Sequence, residues 1–308
     1  MTDTRTTPAA ATPTKPARRK ATSFDANPAK AGWLTRLVLA LICFLWLTPV
    51  IGTLITSFRP VSDAESSGWW TIVTNPSTLG NLTLENYDEA ITGRVEMGNA
   101  FVNSMAITLP ATFIPVLVAA FAAYAFTFME FWGRDFLFLA IVSLLVVPNY
   151  VALVPMLKVY REFEFLRGEF PGVWLAHIGF GMSLAIYILR NYMATLPRTV
   201  IESAKIDGAS HFQTFFKLIL PMSMPALAAF AIFQFLWVWN DLLVALVFIG
   251  PGQNQPVTVA ATELTGQLGQ GWNLVTAGAF VTMIVPIAVF LGLQRFFVRG
   301  LTAGAVKG

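Results

Sequence analysis

The residues of this chain that could carry chemistry are few, and their spacing argues against catalysis. Among 308 residues there are 2 histidines, His177 and His211, and 1 cysteine, Cys43. Neither histidine has the neighbours that metal-ligand spacing demands, so both are expected to be structural and no metal site is expected. A lone cysteine in an apolar run excludes an internal disulfide framework or a cysteine metal cluster, and reads as a small apolar side chain. Asp241 is the one acid set within a long apolar stretch, where an ionisable side chain is expensive enough to be a functional candidate. If it faces a helix bundle it could contact a polar solute or, with Asn240, brace a partner subunit; if it lies near the end of its helix it is simply solvated. No second acid, base or nucleophile is placed to serve it in a reaction. The chain also has no Gly-x-x-x-x-Gly-Lys-Ser/Thr loop with which to hold nucleotide phosphates, so any ATP must be hydrolysed elsewhere.

The richest local pattern lies in residues 196–221. Thr199 with Glu202, and Ser210 with Gln213, each place a hydroxyl three residues before a longer polar side chain, the spacing of a capping box. Gly208 sits between the two, where a left-handed helix stop is least costly. The pattern predicts two short helices and a tight turn. Val200, Ile201, Ala204, Phe212, Phe215 and Phe216 are too many apolar positions for a merely solvated loop and predict a surface that presses on something.

The elements that must position these residues follow from the spacing of charge. Hydrophobic residues make up 56% of the chain and charged residues 12%, against roughly 25% charged in ordinary globular proteins, so lipid is the expected solvent. A membrane helix needs about 20 apolar residues. Residues 37–58, 97–129, 136–157, 170–189 and 264–294 contain no Asp, Glu, Lys or Arg, and 218–249 contains only Asp241. The expected fold is therefore all-α, a polytopic membrane protein with six transmembrane helices. Of the 20 Lys and Arg residues, 15 fall on one side if the amino terminus is cytoplasmic and 5 on the other, so both termini are expected inside. The basic residues are spread over loops, and no nucleic-acid partner is implied. Pro110, Pro148, Pro155, Pro225 and Pro286 are expected to interrupt helices, as hinges, as openers of backbone groups along a pathway, or as plain kinks. Asn149, beside Pro148, is a pathway candidate.

Outside the spans, residues 1–33 are rich in Ala, Thr and Pro around Arg18, Arg19 and Lys20, and read as a disordered basic cytoplasmic tail rather than a cleaved signal. Residues 34–308 are expected to form a six-helix transmembrane domain, with a long external loop over 59–96, a cytoplasmic loop over 190–217 and a cytoplasmic tail over 295–308. Trp69 and Trp70 in the external loop read as an interfacial anchor or a docking surface.

The cytoplasmic loop resembles the signature loop of the membrane subunits of binding-protein-dependent ABC importers: Glu-Ala-Ala, three residues, Gly, nine residues, Ile-x-Leu-Pro. The match here is Glu202-Ser203-Ala204, Gly208 and Leu218-Ile219-Leu220-Pro221, with spacing kept throughout and with Ser203 and Leu218 as conservative departures. Asn103-Ser104, Trp239-Asn240-Asp241 and residues 294–308 look like the maltose-type sugar permeases, and Ser67-Gly68-Trp69-Trp70 with residues 233–241 look like α-glucoside permeases. The resemblance covers about 34–308. It implies a type I ABC importer permease fold, with half of a translocation pathway in this chain. It also implies coupling to an ABC ATPase dimer through Glu202, Ser203, Ala204, Asp207, Gly208 and Ala209. Asn103, Asn149, Asn240 and Asp241 are the candidates for pathway or subunit contact. Implied partners are a second permease subunit, the ATPase dimer that binds ATP and Mg, and an extracytoplasmic sugar-binding protein; no cofactor is expected on this chain. The implied cargo is a di- or oligosaccharide, with an α-glucoside, maltose or trehalose as examples. A secondary, ion-coupled transporter would need a chain of intramembrane acids or histidines, and a membrane enzyme a convergent polar constellation; the sequence offers neither.

Overall fold

The computed structural model describes residues 32–264 and 271–305, with side chains as far as Gln294. The expected basic tail therefore lies almost wholly outside the described residues, as do the side chains of 295–308. All secondary structure among the described residues is helical.

The chain divides into two units at Pro49 and Val50. In the first, residues 33–49 make up most of α1 (Trp33–Ser57), with Leu, Ile, Phe and Trp all round the helix, as a lipid-facing segment has.

The second unit is built on α5 (Met97–Phe128). Ala111, Ala119 and Ala123 are fully buried along one side of it. Small residues at this spacing let neighbouring backbones approach closely, which is how helices pack where lipid offers no hydrophobic drive. Against α5 lie α8 (Phe170–Met193), α12 (Met224–Asn240) and α15 (Trp272–Ala305). Gly278 on α15 marks a close approach: a Cβ there would fall on Leu264 and within 2.9 Å of Met97 Sδ. Gly278→Val is expected to lower the apparent melting temperature of the detergent-solubilised chain, overpacking costing about 1–3 kcal/mol; an unchanged melting curve would show that this contact yields freely.

Four spans are unbroken, 33–57, 97–128, 170–193 and 272–294. The two others expected from the sequence are bent. The third runs as Arg134–Val146, containing α6 (Arg134–Ser143), followed by α7 (Asn149–Tyr160) at 102°. The break falls at Val147, which is extended (φ −75°, ψ 121°) because the ring of Pro148 disfavours a helical residue before it. The fifth bends by 73° at Ser223, between His211–Met222 and α12. It then ends at Asn240, and a separate short helix, α13 (Leu243–Phe248), follows. The helix of the sixth span begins at Trp272; Leu264 directly follows α14 (Val257–Glu263), and 265–270 of the expected run lie outside the described residues. Pro110, Pro155 and Pro286, expected to interrupt helices, instead sit inside unbroken ones.

The 59–96 loop is a packed layer carrying α2 (Val61–Ser66), α3 (Thr71–Thr74) and α4 (Glu85–Thr92). The buried Arg59 guanidinium donates to the carbonyls of Asp63 and Ser67 and to Ser67 Oγ, at 2.6–2.8 Å. Asn86 Nδ2 donates to the carbonyls of Ser57 and Arg59, and Asn273 Nδ2 on α15 donates to Asn86 Oδ1 at 2.7 Å. Of the tryptophan pair, Trp69 packs onto Gly52 while Trp70 stays exposed.

Candidate coupling surface and membrane polar residues

The loop after α8 folds as α9 (Arg198–Ile206), a turn, α10 (His211–Thr214), a π-helical turn over Phe215–Ile219, and α11 (Leu220–Met222). Its turn forms as the sequence predicts. Gly208 takes φ +75°, the Ala209 N–H donates to Ala204 O at 2.9 Å, and the Gly208 N–H donates to Lys205 O at 3.1 Å. These two bonds satisfy the last free carbonyls of α9 in a Schellman arrangement. The second capping box also forms: the Gln213 N–H donates to Ser210 Oγ at 3.3 Å, and the Ser210 N–H donates to Gln213 Oε1 at 2.9 Å. The first does not. Pro197 occupies the N-cap, with no side-chain cap bond, and helix begins at Arg198, so Thr199 is already inside the first turn and cannot pair with Glu202 as a cap.

The loop has two faces. Ile201, Ala204, Phe215 and Ile219 are buried; Ile201, Phe215 and Ile219 pack with α5, α8 and α12 in one apolar cluster. Tyr124 on α5 anchors the loop with a 3.0 Å hydrogen bond between its hydroxyl and His211 Nδ1. Phe121 stacks on Phe215 at 4.5 Å between ring centroids, and Tyr124 meets Phe215 edge-on at 5.4 Å. The opposite face carries Glu202, Ser203, Asp207 and Gly208, together with two largely exposed apolar side chains, Ile206 at 86% exposure and Phe212 at 68%, the Phe212 ring lying 4.4 Å from that of Phe216. Of the six expected coupling residues, Ala204 therefore faces inward and seats the loop, and Ala209 is half-buried. Ile206 and Tyr124 were not legible as part of this surface. Ile206 falls outside the signature spacing, and Tyr124 is distant in sequence and looks like one more aromatic in an apolar span.

The four polar candidates of the spans are not gathered into one site. Asp241 sits in a helix break, not deep in a helix: its backbone is extended after Asn240, and its Oδ1 accepts the Val244 N–H at 2.7 Å, capping α13. Its carbonyl accepts from Thr258 Oγ1 at 2.9 Å. Asn240 turns its amide back to Leu236 O at 2.7 Å. Asn103 Nδ2 donates to the carbonyls of Gln253 and Gln255 at 2.8 and 3.1 Å, holding the 250–256 loop onto α5. Asn149 opens α7 and lines a cavity of about 420 Å³ with Pro148, Phe180, Ser183 and Trp237. Asp241 instead borders a cavity of about 10 Å³ with Ser104, Thr108, His177 and Thr258. Ser104 and Tyr124, both on α5, are separated by about 30 Å of helix rise, so Asp241 and the loop lie at opposite ends of the bundle.

A family of sequences matches residues 104–303, that of the binding-protein-dependent transport system inner membrane component. The chain is 53% identical to the osmoprotective compounds uptake permease protein GgtD of Synechocystis, over 86% of this chain and 89% of that one. It is 51% identical to the alpha-glucoside transport system permease protein AglG of Rhizobium meliloti (82% and 68%), and 35% to the trehalose transport system permease protein SugB of Mycobacterium tuberculosis (85% and 93%). Among solved structures, a chain of a bacterial ABC transporter that imports the acidic polysaccharide alginate has the same fold, with a TM-score of 0.69 at 17% identity over 85% of this chain and 94% of that one.

Proposed function

Because the chain belongs to the family of binding-protein-dependent transport system inner membrane components, it is a permease subunit of an ABC sugar importer, and we propose that its cargo is a di- or oligosaccharide of the α-glucoside type. The similarity to the alpha-glucoside and trehalose permeases supports that cargo. The cavity beside Asn149 has the make-up of a sugar-contacting surface, an indole from Trp237 with the amide of Asn149 and the hydroxyl of Ser183. The ion-coupled alternative finds no support, since the Asp241 carboxylate is engaged as a backbone cap.

In this reading a second permease completes the pathway, an extracytoplasmic binding protein delivers the sugar, and two ATPase copies hold ATP and Mg. Both termini lie in the cytoplasm, as the 15 to 5 distribution of basic residues supports. The observation that carries the coupling role is the two-faced loop. Ile206 and Phe212 present an exposed apolar surface, while Tyr124, Phe121 and Phe215 tie the same loop to α5. A push on the exposed face is therefore handed to the central helix. Closure of the ATPases on ATP favours one of two bundle states by differential binding, which is alternating access.

The cargo is tested by uptake of labelled trehalose into proteoliposomes holding the complete transporter. Unlabelled maltose or another α-glucoside is expected to compete, and an acidic oligosaccharide is not; competition by the acidic sugar alone would overturn the α-glucoside assignment.

A further inference from the structure

α5 and α15 carry prolines in mid-helix yet run unbroken for 32 and 34 residues. A proline has no N–H, so the carbonyl four residues earlier loses its intrahelical donor, a loss that is costly where no water can replace it. Pro110, Pro115 and Pro286 in this way orphan the carbonyls of Ala106, Ala111 and Thr282. Each of these three carbonyls accepts a hydrogen bond from a side chain of a neighbouring helix. Trp174 Nε1 on α8 lies 3.1 Å from Ala106 O, Gln234 Nε2 on α12 lies 3.2 Å from Ala111 O, and Trp239 Nε1 on α12 lies 3.0 Å from Thr282 O. Gln234 and Trp239 are completely enclosed.

The pairing has a physical logic on both sides. A buried indole or amide N–H needs an acceptor, and a helical carbonyl whose own donor a proline has removed needs a donor in turn. Gly181 on α8 leaves the room that the Gln234 amide needs, since a Cβ there would lie 2.6 Å from Gln234 Oε1. The same amide is also 3.4 Å from the carbonyl of His177, so it joins α12 to α8 as well as to α5.

We infer that Trp174, Gln234 and Trp239 are positioning residues that replace the backbone donors deleted by Pro110, Pro115 and Pro286, bracing the proline sites of α5 and α15 against α8 and α12 so that these helices move as one body during transport. The prolines are then braced joints, not hinges. Changes of angle are left to the breaks at Val147–Pro148, Ser223 and Asp241–Leu242. The bracing stands on the hydrogen bonds alone; only its role in transport rests on the importer reading.

Replacing the proline returns the missing backbone N–H, which makes a direct test by double-mutant cycles in the complete transporter. Gln234→Leu removes the donor at nearly constant volume. It is expected to lower the apparent melting temperature by about 3 °C and to slow uptake several-fold, while Pro115→Ala alone leaves both close to native. Gln234→Leu with Pro115→Ala is expected to regain most of the loss, and the pairs Trp239→Phe with Pro286→Ala and Trp174→Phe with Pro110→Ala to behave alike. Loss of uptake by Pro115→Ala alone, as a hinge would show, or double variants as impaired as the sum of the singles, would overturn the inference. If the native complex moves no sugar at all, the importer reading fails instead, and rescue of the melting temperature still reports on the bracing.

Discussion

Gly208→Val is expected to abolish sugar-stimulated ATP hydrolysis and uptake while leaving the amount of permease in the membrane unchanged. Gly208 holds φ +75°, and a Cβ at this position would meet nothing within 4 Å, so the substitution acts through the backbone alone. A β-branched residue in the left-handed region costs about 1–2 kcal/mol. The loop can avoid that cost only by giving up the turn, and with it the two hydrogen bonds from Gly208 and Ala209 that end α9. Since 1.4 kcal/mol is about a factor of ten in population, that strain shifts the loop by roughly 5- to 30-fold toward conformations with a misdirected α9. Gly208→Asn, which tolerates the left-handed region, is expected to keep a substantial part of the activity. Native coupling in the valine variant would mean that the turn is not what aligns the loop with the ATPase.

The second large effect is expected from Ile206→Asp combined with Phe212→Asp. Both side chains are exposed, so charge at these positions should leave the melting behaviour of the isolated chain within experimental scatter. Buried in an interface, apolar anchors of this kind are worth about 2 kcal/mol each, or roughly 30-fold in affinity. The ATPase recovered with the permease from detergent should therefore fall to background in the double variant and partially in each single one. Full recovery with the double variant would place the docking surface elsewhere on the chain.

The parts of this arrangement that were legible in the sequence are those set by local physics. Five charge-free runs and a sixth holding only Asp241 marked the four unbroken spans and the two bent pairs, the glycine marked the left-handed stop at 208, and Ser210 with Gln213 marked a cap that forms. Where the sequence misled, a neighbour intervened. Pro197 starts α9 two residues too early for Thr199 to cap it, Pro148 turns one expected span into two arms, and a break after Asn240 moves Asp241 out of the helix it was expected to occupy. Periodicity could not say which apolar residues of the loop face the bundle, and the structure turns Ile201 and Ala204 inward while leaving Ile206 and Phe212 outside. The proline partners were the least legible feature. Pro115 and Gln234, or Pro286 and Trp239, are far apart in sequence, and nothing local connects a freed carbonyl with the side chain that fills it.

The docking of the 198–213 loop on an ATPase subunit is tested most directly by photo-crosslinking in intact membranes, with a benzophenone-bearing phenylalanine analogue placed at 206, at 212 or at 201. Positions 206 and 212 are expected to crosslink to a separate chain whose peptides include a phosphate-binding loop, while 201, buried against the bundle, crosslinks only within the permease. Crosslinks from 206 and 212 to lipid alone, or an ATPase adduct from 201 and not from the other two, would contradict the coupling role of this surface.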